Sequence, residues 1–264
     1  MEQLIRQRLK IIEHDFGVQV LYACESGSRA WCFASQDSDW DVRFIYLHPP
    51  AWYLAIDVER KRDVIEHLDG KLDISGWDLR KALWLFHKSN PPLIEWLTSP
   101  LVYIDRHGLA ARLRSLLDLY YSPAACRHHY LHMARGNFRE YLRGETVRTK
   151  KYLYVLRPLL ALRWIETNGG PPPMPFDTLV DGLLPQGPLK SIVQDLLTRK
   201  KSGHELDQGP RIELLSRFLE AELARLETAM KNLRQAEKPS TEPLNELFRE
   251  MLENVRNANE RRSG

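Results

Sequence analysis

The sequence predicts an α+β protein, in which a small mixed-sheet domain is followed by an all-helical domain. Two observations support this fold class. Short runs of β-branched and aromatic residues alternate with turn signals in the first part of the chain, as they do in sheets. From residue 107 onward, apolar residues recur at helical spacing instead. We therefore expect the sheet domain over residues 1–105, the helical domain over residues 106–238, and a linker with a C-terminal helix over residues 239–264.

The first domain is predicted to open with a helix and then to alternate strands with turns. Strands are predicted where runs rich in β-branched and aromatic residues end at glycine, proline or polar turns, and Pro49 and Pro50 close one of them. Asp78 has the position of an N-cap before a helix. The predicted strands span 18–24, 41–47, 70–75 and 101–104, and the predicted helices span 2–14, 29–35, 79–88 and 93–98.

Helical periodicity dominates the second half of the chain. A proline-rich loop over residues 169–175 separates the first three of these helices from the rest, and residues 238–243 have the composition of a linker. The predicted helices span 107–121, 124–143, 147–167, 189–200, 211–236 and 244–258.

Composition excludes several classes of protein. The chain is 43% apolar, which is too much for a disordered protein, and it contains no apolar run long enough for a membrane span. The N-terminus has no signal-peptide core. The three cysteines show no CxxC spacing, so we expect neither a disulfide framework nor a zinc ribbon. A cytoplasmic protein that does not act in a membrane is therefore expected, and the oligomeric state is left open.

Charge is distributed unevenly along the chain. Residues 1–105 carry 12 Lys and Arg against 16 Asp and Glu, whereas residues 106–168 carry 12 against 4. A basic segment beside an acidic one is typical of a surface that handles phosphates. The alternative is that the basic residues lie on solvated helix faces, and charge taken alone favours this second interpretation.

The residues suited to chemistry lie in the first domain. Asp39 and Asp41 precede and open the second predicted strand, and Asp73 lies in the third. Carboxylates at positions i and i+2 of a strand project from the same face, roughly 6–7 Å apart. Burying several carboxylates together requires compensating positive charge, and oxygen ligands favour Mg²⁺ or Mn²⁺ over zinc. Two such ions can activate a hydroxyl and stabilise a leaving phosphate oxygen.

A Gly-Ser turn follows the first predicted strand. Gly27 allows close approach of a phosphate to the backbone, and the Ser28 hydroxyl can donate to phosphate oxygens. A helix starting after this loop would add its N-terminal dipole. Gly-Ser is nevertheless a common turn, and Asp-x-Asp pairs often face solvent, so each signal alone favours a structural interpretation.

The ordered combination is more specific. It resembles the DNA polymerase beta-like nucleotidyltransferase superfamily, whose fingerprint is hG[GS] followed by Dh[DE]h, here Gly27-Ser28 and Asp39-Trp40-Asp41-Val42. Longer segments are similar to the YcgL-like predicted nucleotidyltransferases, also called the RNA-repair-pathway DNA polymerase beta family, over roughly residues 15–168. These segments are GSRAW, SDWDVRFIYLH, WDLRKAL, KSNPPLIEWLTSP and KKYLYVLRPLLALRW. Cys32 departs from the pattern, because a glycine is expected after GSRAW.

The resemblance implies transfer of a nucleoside monophosphate from an NTP to an acceptor hydroxyl, with release of pyrophosphate. It implies that Asp39, Asp41 and Asp73 bind two Mg²⁺ or Mn²⁺ ions and that Gly27 and Ser28 hold the triphosphate. An RNA end is the expected acceptor, and it suits the basic segment. A protein side chain or a small hydroxyl compound is an alternative acceptor, and a catalytically silent nucleotide- or RNA-binding module is an alternative of another class.

Residues outside the fingerprint complete the predicted site. Related nucleotidyltransferases place a lysine and an aromatic residue of the helical domain against the triphosphate and the base, which points to Lys150 or Lys151 and to Tyr154, with Tyr152 as a competitor. The alternative is that the lysines are solvated and Tyr154 packs in the core. Arg29 can reach a phosphate or form a surface salt bridge. Arg43 is expected to pair with a carboxylate.

Overall fold

The computed structural model describes residues 1–203, 208–230 and 238–263, with side chains described to residue 257. A five-stranded mixed sheet near the N-terminus is followed by a largely helical region, which confirms the predicted α+β class. The strands are β1 (Gln19–Glu25), β2 (Trp40–Leu47), β3 (Val64–Asp69), β4 (Leu72–Asp78), β5 (Val102–Asp105), β6 (Thr146–Arg148) and β7 (Gln208–Pro210). The helices are α1 (Glu2–Phe16), α2 (Gly27–Ala30), α3 (Pro50–Tyr53), α4 (Leu79–His87), α5 (Pro91–Leu97), α6 (Leu109–Ser115), α7 (Leu117–Tyr120), α8 (Pro123–Tyr141), α9 (Lys151–Asn168), α10 (Phe176–Leu183), α11 (Pro188–Lys201), α12 (Glu213–Met230) and α13 (Glu242–Ser263).

The strand order of the main sheet is β3-β4-β2-β1-β5. The β2 and β4 strands are parallel neighbours, whereas the other pairs are antiparallel. In the parallel pair, Asp41 is the register partner of Asp73, and Arg43 is the partner of Ser75. The two aspartates are thus brought side by side although they are far apart in sequence.

Helices cover both faces of the sheet. On one face, the apolar side of α1 packs against a cluster that includes Val42, Phe44 and Ile74. Gly76 in β4 makes room for this packing, because a Cβ at that position would lie 2.3 Å from the Phe44 ring. On the other face, α4, α5 and α6 pack over residues that include Ile45.

The helical region has its own core around the antiparallel pair α8 and α9. Phe33 and Ile94, both from the first part of the chain, join this core and connect it to the sheet region. The last helix does not belong to it. Four buried residues of α13 pack instead in the core of the sheet face covered by α4, namely Leu244, Leu247, Met251 and Val255. The division at residues 105 and 238 stays a prediction.

Several elements were not predicted. The β3 strand was missed because it is an edge strand in which only Ile65 is buried, so it carries no clear apolar alternation. The α10 helix was also missed. The helix predicted from residue 147 begins at Lys151, because Thr146–Arg148 pairs with Gln208–Pro210 in a two-stranded sheet within the helical region.

The prediction of a helix over residues 29–35 was wrong beyond residue 30, because the helix there is α2, Gly27–Ala30; most other helix predictions differ in their ends. The helix predicted over residues 107–121 is divided into α6 and α7. The helix predicted over residues 211–236 is described as Glu213–Met230, and residues 231–236 of that prediction lie outside the described residues. Among the helices described, none combines the length and the apolarity that crossing a membrane requires.

Candidate active site

The backbone of Asp41 is held at the point where three strands meet. Its N–H donates to the Glu25 carboxylate (2.8 Å), and its carbonyl oxygen accepts from the Ser26 N–H (2.8 Å). Glu25 is fully buried and also accepts from the Tyr103 hydroxyl of β5. The end of β1, the start of β2 and the edge strand β5 together therefore fix the position of Asp41. Sequence reasoning missed Glu25 and Tyr103.

The Gly-Ser turn lies directly against this aspartate. Gly27 has a φ of +58°, and a Cβ at this position would lie 2.1 Å from Asp41 Oδ2. A residue with a side chain would therefore be strained in its backbone and would collide with the carboxylate. Ser28 follows within the short helix α2 and is buried. The structure thus brings together the two halves of the predicted fingerprint.

Arg43 bridges the two aspartates that are paired in register. Its Nη2 donates to Asp73 Oδ2 (2.9 Å) and lies 3.4 Å from Asp41 Oδ1. Its Nη1 donates to the backbone carbonyl oxygens of Val42 (3.0 Å) and Asp73 (3.1 Å). The predicted pairing of Arg43 with a carboxylate is confirmed. The guanidinium supplies part of the positive charge that the paired carboxylates require.

The carboxylate of Asp41 lies in an environment that disfavours its ionised form. Burial raises the pKa of Asp41, and the neighbouring carboxylates of Asp73 and Asp39 raise it further, whereas Arg43 and Arg29 lower it. Burial likewise raises the pKa of Glu25 behind it. A group with these neighbours gains from additional positive charge, because that charge stabilises its ionised form.

The three aspartates have the ligand atoms that a hard divalent cation prefers, but they are not arranged as a complete metal site. Asp39, Asp41 and Asp73 offer the carboxylate oxygens that Mg²⁺ and Mn²⁺ prefer. Among the described residues, no group of three His, Cys, Asp or Glu side chains is close enough to hold a metal ion. Arg43 lies between two of the three candidate ligands instead. A cation that binds both Asp41 and Asp73 would compete with this guanidinium.

Arg29 has a role that sequence reasoning did not foresee. Its guanidinium donates to the backbone carbonyl oxygens of Ser38 (2.6 Å) and Asp39 (3.1 Å) and lies 3.8 Å from the centre of the Trp40 ring. It thus holds the loop that carries Asp39. A contact between Arg29 and a phosphate would require some of these bonds to be released.

Tyr154 and Tyr152 are the two candidates for the aromatic residue that contacts the base, and they lie in different environments. Tyr152 is fully buried, and its hydroxyl bonds to Ser216 Oγ (2.7 Å) and to the Ile212 N–H (3.0 Å). Tyr154 is half-buried beside the acids. Burial raises the pKa of the Tyr154 hydroxyl, and the charges of Asp41 and Asp39 raise it further. Tyr154 is therefore the tyrosine that lies at the site.

Lysines of the helical region complete the electrostatic environment. Lys150 caps α9, and the Nζ of Lys151 lies 5.2 Å from the centre of the Tyr154 ring. Lys200 of α11 also lies near the site, but it was not predicted from the sequence. Its Nζ lies 3.5 Å from Ser38 Oγ. Burial and the charge of Lys150 lower the pKa of Lys200, whereas Asp39 raises it. In the sequence, Lys200 belongs to a basic run at the end of a helix, which is common without any functional role.

A buried ion pair connects the Gly-Ser turn to the helical region. The Glu95 carboxylate accepts from Arg157 Nη1 (2.7 Å), the Tyr130 hydroxyl (2.8 Å) and Trp31 Nε1 (3.3 Å). Arg157 also lies 4.4 Å from the centre of the Trp31 ring. Trp31, Glu95 and Arg157 come from three separate segments of the predicted family resemblance. Their contacts fix the position of α9, and thus of Tyr154, relative to the turn.

The fold and this site define an α+β protein with a cluster of carboxylates beside a Gly-Ser turn. A profile of the RNA repair pathway DNA polymerase beta family matches residues 1–250. The uncharacterized protein YcgL of Bacillus subtilis (strain 168) is 49% identical over 256 residues, which are 97% of this chain and 98% of that protein. The chain therefore belongs to this family, within the polymerase beta-like nucleotidyltransferases. The likeness extends beyond residue 168, where the sequence segments had shown only a weak resemblance.

Among solved structures, the chain is similar to a nucleotidyltransferase-like protein from Exiguobacterium sibiricum 255-15, with 14% sequence identity, a TM-score of 0.29, and coverage of 86% of this chain and 74% of that one.

The collision at Gly27 gives a test of the site geometry. We expect Gly27→Ala to lower the free energy of unfolding by at least about 3 kcal/mol, because the new Cβ adds a clash with Asp41 to an unfavourable backbone. Gly17 is a matched control, since its φ is +60° but nothing lies within 4 Å of a Cβ there. Gly17→Ala is expected to cost about 1 kcal/mol. Equal losses in urea denaturation would contradict the predicted contact.

Cys32 occupies the position where a glycine was expected, and its φ of +64° explains that expectation. We expect Cys32→Gly to raise the free energy of unfolding by about 0.5–1 kcal/mol, because glycine adopts this conformation without a Cβ clash. Cys32→Ala keeps the Cβ and is expected to change stability little. Chemical denaturation of the three proteins distinguishes these outcomes, and a gain with alanine as large as with glycine would argue against backbone strain.

Proposed function

We propose that this protein is a metal-dependent nucleotidyltransferase that transfers a nucleoside monophosphate from an NTP to an acceptor hydroxyl, with an RNA end as the acceptor. In this reaction the hydroxyl oxygen forms a bond to the α-phosphorus, the bond from the α-phosphorus to the bridging oxygen breaks, and pyrophosphate leaves. The hydroxyl proton is lost to a base.

The observation that carries this proposal is the contact set around Asp41. Asp41 is paired with Asp73 across parallel strands, and the glycine of the Gly-Ser turn lies against its carboxylate. A phosphate that approaches the backbone at Gly27 therefore lies next to two carboxylates. Membership of the RNA repair pathway family supports both the reaction class and the choice of an RNA acceptor.

In the proposed site, the acids and the turn have separate roles. Asp39, Asp41 and Asp73 would hold Mg²⁺ or Mn²⁺, and the chemistry supplied by two bound ions is activation of the hydroxyl and neutralisation of charge on the leaving group. Gly27 allows the triphosphate to approach the backbone, and Ser28 offers a hydroxyl donor beside it.

The helical region supplies positive charge and an aromatic surface. Lys150 and Lys200 lie near each other, and Lys200 also lies near Asp39, so both can neutralise charge on the triphosphate. Tyr154 lies near the acids and in contact with Lys151, and it can contact the base. Holding the reactants in one orientation is the main contribution that these residues make.

Substitution of the acids tests the mechanism. We expect Asp41→Asn and Asp73→Asn each to reduce transfer of label from an α-³²P NTP by at least about a hundredfold, because each variant loses a carboxylate that would hold the divalent cation. Asp69→Asn is a matched control on the neighbouring strand, since Asp69 pairs with Arg8 away from the site. Transfer that persists in the Asp41 and Asp73 variants would contradict the mechanism.

The destination of the label separates the alternatives. Label that appears in RNA supports the proposed acceptor, whereas label in protein or in a small compound assigns the same chemistry to another acceptor. Nucleotide binding without release of pyrophosphate, in every combination of NTP and divalent ion, would instead indicate a catalytically silent module.

Arg43 gives a test that does not depend on activity. We expect Arg43→Gln to bind Mn²⁺ at least about tenfold more tightly than the unaltered protein, because the guanidinium between Asp41 and Asp73 no longer opposes a second cation. Electron paramagnetic resonance of free Mn²⁺ measures this affinity. Arg8→Gln is the control, because Arg8 contacts Asp69 and should leave Mn²⁺ binding unchanged. An affinity that is unchanged or weaker in Arg43→Gln would exclude a cation at this pair.

A further inference from the structure

The basic segment identified in the sequence divides into two groups in the structure. Of its 12 Lys and Arg, six form salt bridges with carboxylates, five of them with residues of other segments and one, Arg127, with Glu166 of the same segment. A seventh, Arg114, donates to the backbone carbonyl of Leu97. The remaining five lie in the stretch from the last turn of α8 to the first residue of α9. None of them forms a salt bridge with any residue that the structure describes. They are Arg139, Arg143, Arg148, Lys150 and Lys151.

We name these five residues the basic turn. Arg139, Arg143 and Arg148 are exposed, and Lys150 and Lys151 are half-exposed. Only two carboxylates, Glu140 and Glu145, occur within the same stretch of chain. The net charge of the turn is therefore positive, and its positive side chains are not neutralised by salt bridges with the residues that the structure describes.

Two of these cations contact the ring of one aromatic side chain. The Tyr141 ring centre lies 4.2 Å from the Nζ of Lys151 and 5.3 Å from the Cζ of Arg148. Burial lowers the pKa of Lys151, and the charges of Lys150 and Arg148 lower it further, whereas Glu140 raises it. Positive groups crowded in this way repel one another, and a bound anion would relieve that repulsion.

The basic turn is continuous with the candidate active site. Lys151 contacts the Tyr154 ring as well as the Tyr141 ring, and Tyr154 lies beside Asp41. Lys150 lies near Lys200, which contacts the loop of Asp39. A polyanion bound on the turn would thus have one end at the acids.

We propose that the basic turn binds the phosphodiester backbone of single-stranded RNA and directs its end toward Asp41. This inference rests on the proposed function, since it names the surface that presents the acceptor. Arginine recognises phosphate oxygens through paired donors, and a row of unpaired cations suits a chain of regularly spaced phosphates. A single strand suits the site because its end must enter between Tyr154 and the acids.

Salt dependence of RNA binding provides the test. Affinity of a fluorescein-labelled 20-nucleotide single-stranded RNA is measured by fluorescence anisotropy between about 50 and 200 mM salt, in EDTA and without NTP. We expect Arg143→Ala/Arg148→Ala to weaken binding about tenfold and to reduce the slope of log affinity against log salt by about 1.4, which corresponds to two lost phosphate contacts.

The control removes the same charge from the same segment. Arg112 and Arg135 are exposed and form salt bridges with Glu250 and Glu227. Arg112→Ala/Arg135→Ala should therefore leave the slope nearly unchanged. Arg139→Ala/Arg143→Ala provides a second variant that spares the contact with Tyr141, and it should reduce the slope by the same amount as the first. Thermal unfolding confirms that each protein is folded.

Several outcomes would overturn the inference. These are an equal loss in the control, an absence of RNA binding by the unaltered protein, and equally strong competition by a peptide of ten glutamates, which would indicate an acidic protein as the partner. Failure of the proposed function is distinguishable. If RNA binds on the basic turn but accepts no nucleotide, the reaction is wrong and the surface stands; if RNA is labelled equally well by the basic-turn variants, the surface is wrong and the reaction stands.

Discussion

The site depends on the parallel pairing of β2 with β4, which places the carboxylates of Asp41 and Asp73 side by side. Two adjacent negative charges at the end of a sheet are unfavourable, and one cation offsets them while separate hydrogen bonds fix the backbone. Arg43 bonds to both carboxylates, while Glu25 and Ser26 hold the Asp41 backbone in place. The guanidinium thus offsets part of the repulsion between the two carboxylates.

Much of the site was predictable because its residues lie at strand ends: the Gly-Ser turn follows β1, and the aspartates lie at the starts of β2 and β4. The Gly-Ser turn and the Asp-x-Asp pair carry local signals, and their order along the chain pointed to one site. Glu25, Tyr103 and Lys200 were not predictable in the same way. Glu25 and Tyr103 act through contacts between distant strands, and Lys200 reaches the site only because α11 folds back toward it.

The fold shows the same distinction between local and long-range information. Helices and buried strands were predicted from apolar periodicity, which is a property of the local sequence. The edge strand β3 buries too few side chains to leave such a pattern, and the short β6 strand exists only through its pairing with β7. The φ of Cys32 is an intermediate case, because the missing glycine was noticed in the sequence but its backbone conformation was not.

The packing of α13 has a consequence for how the chain folds as it is made. Its buried residues Leu244 and Met251 complete the core that lies on one face of the sheet, whose strands are formed almost entirely from the beginning of the chain. During synthesis, the α4, α5 and α6 helices can cover most of this face early, but the part that α13 covers stays exposed until residues 244–255 have been made. The helical region, built from the middle of the chain, can assemble its own core earlier. Completion of the core of the sheet region thus depends on residues that are made after the helical region.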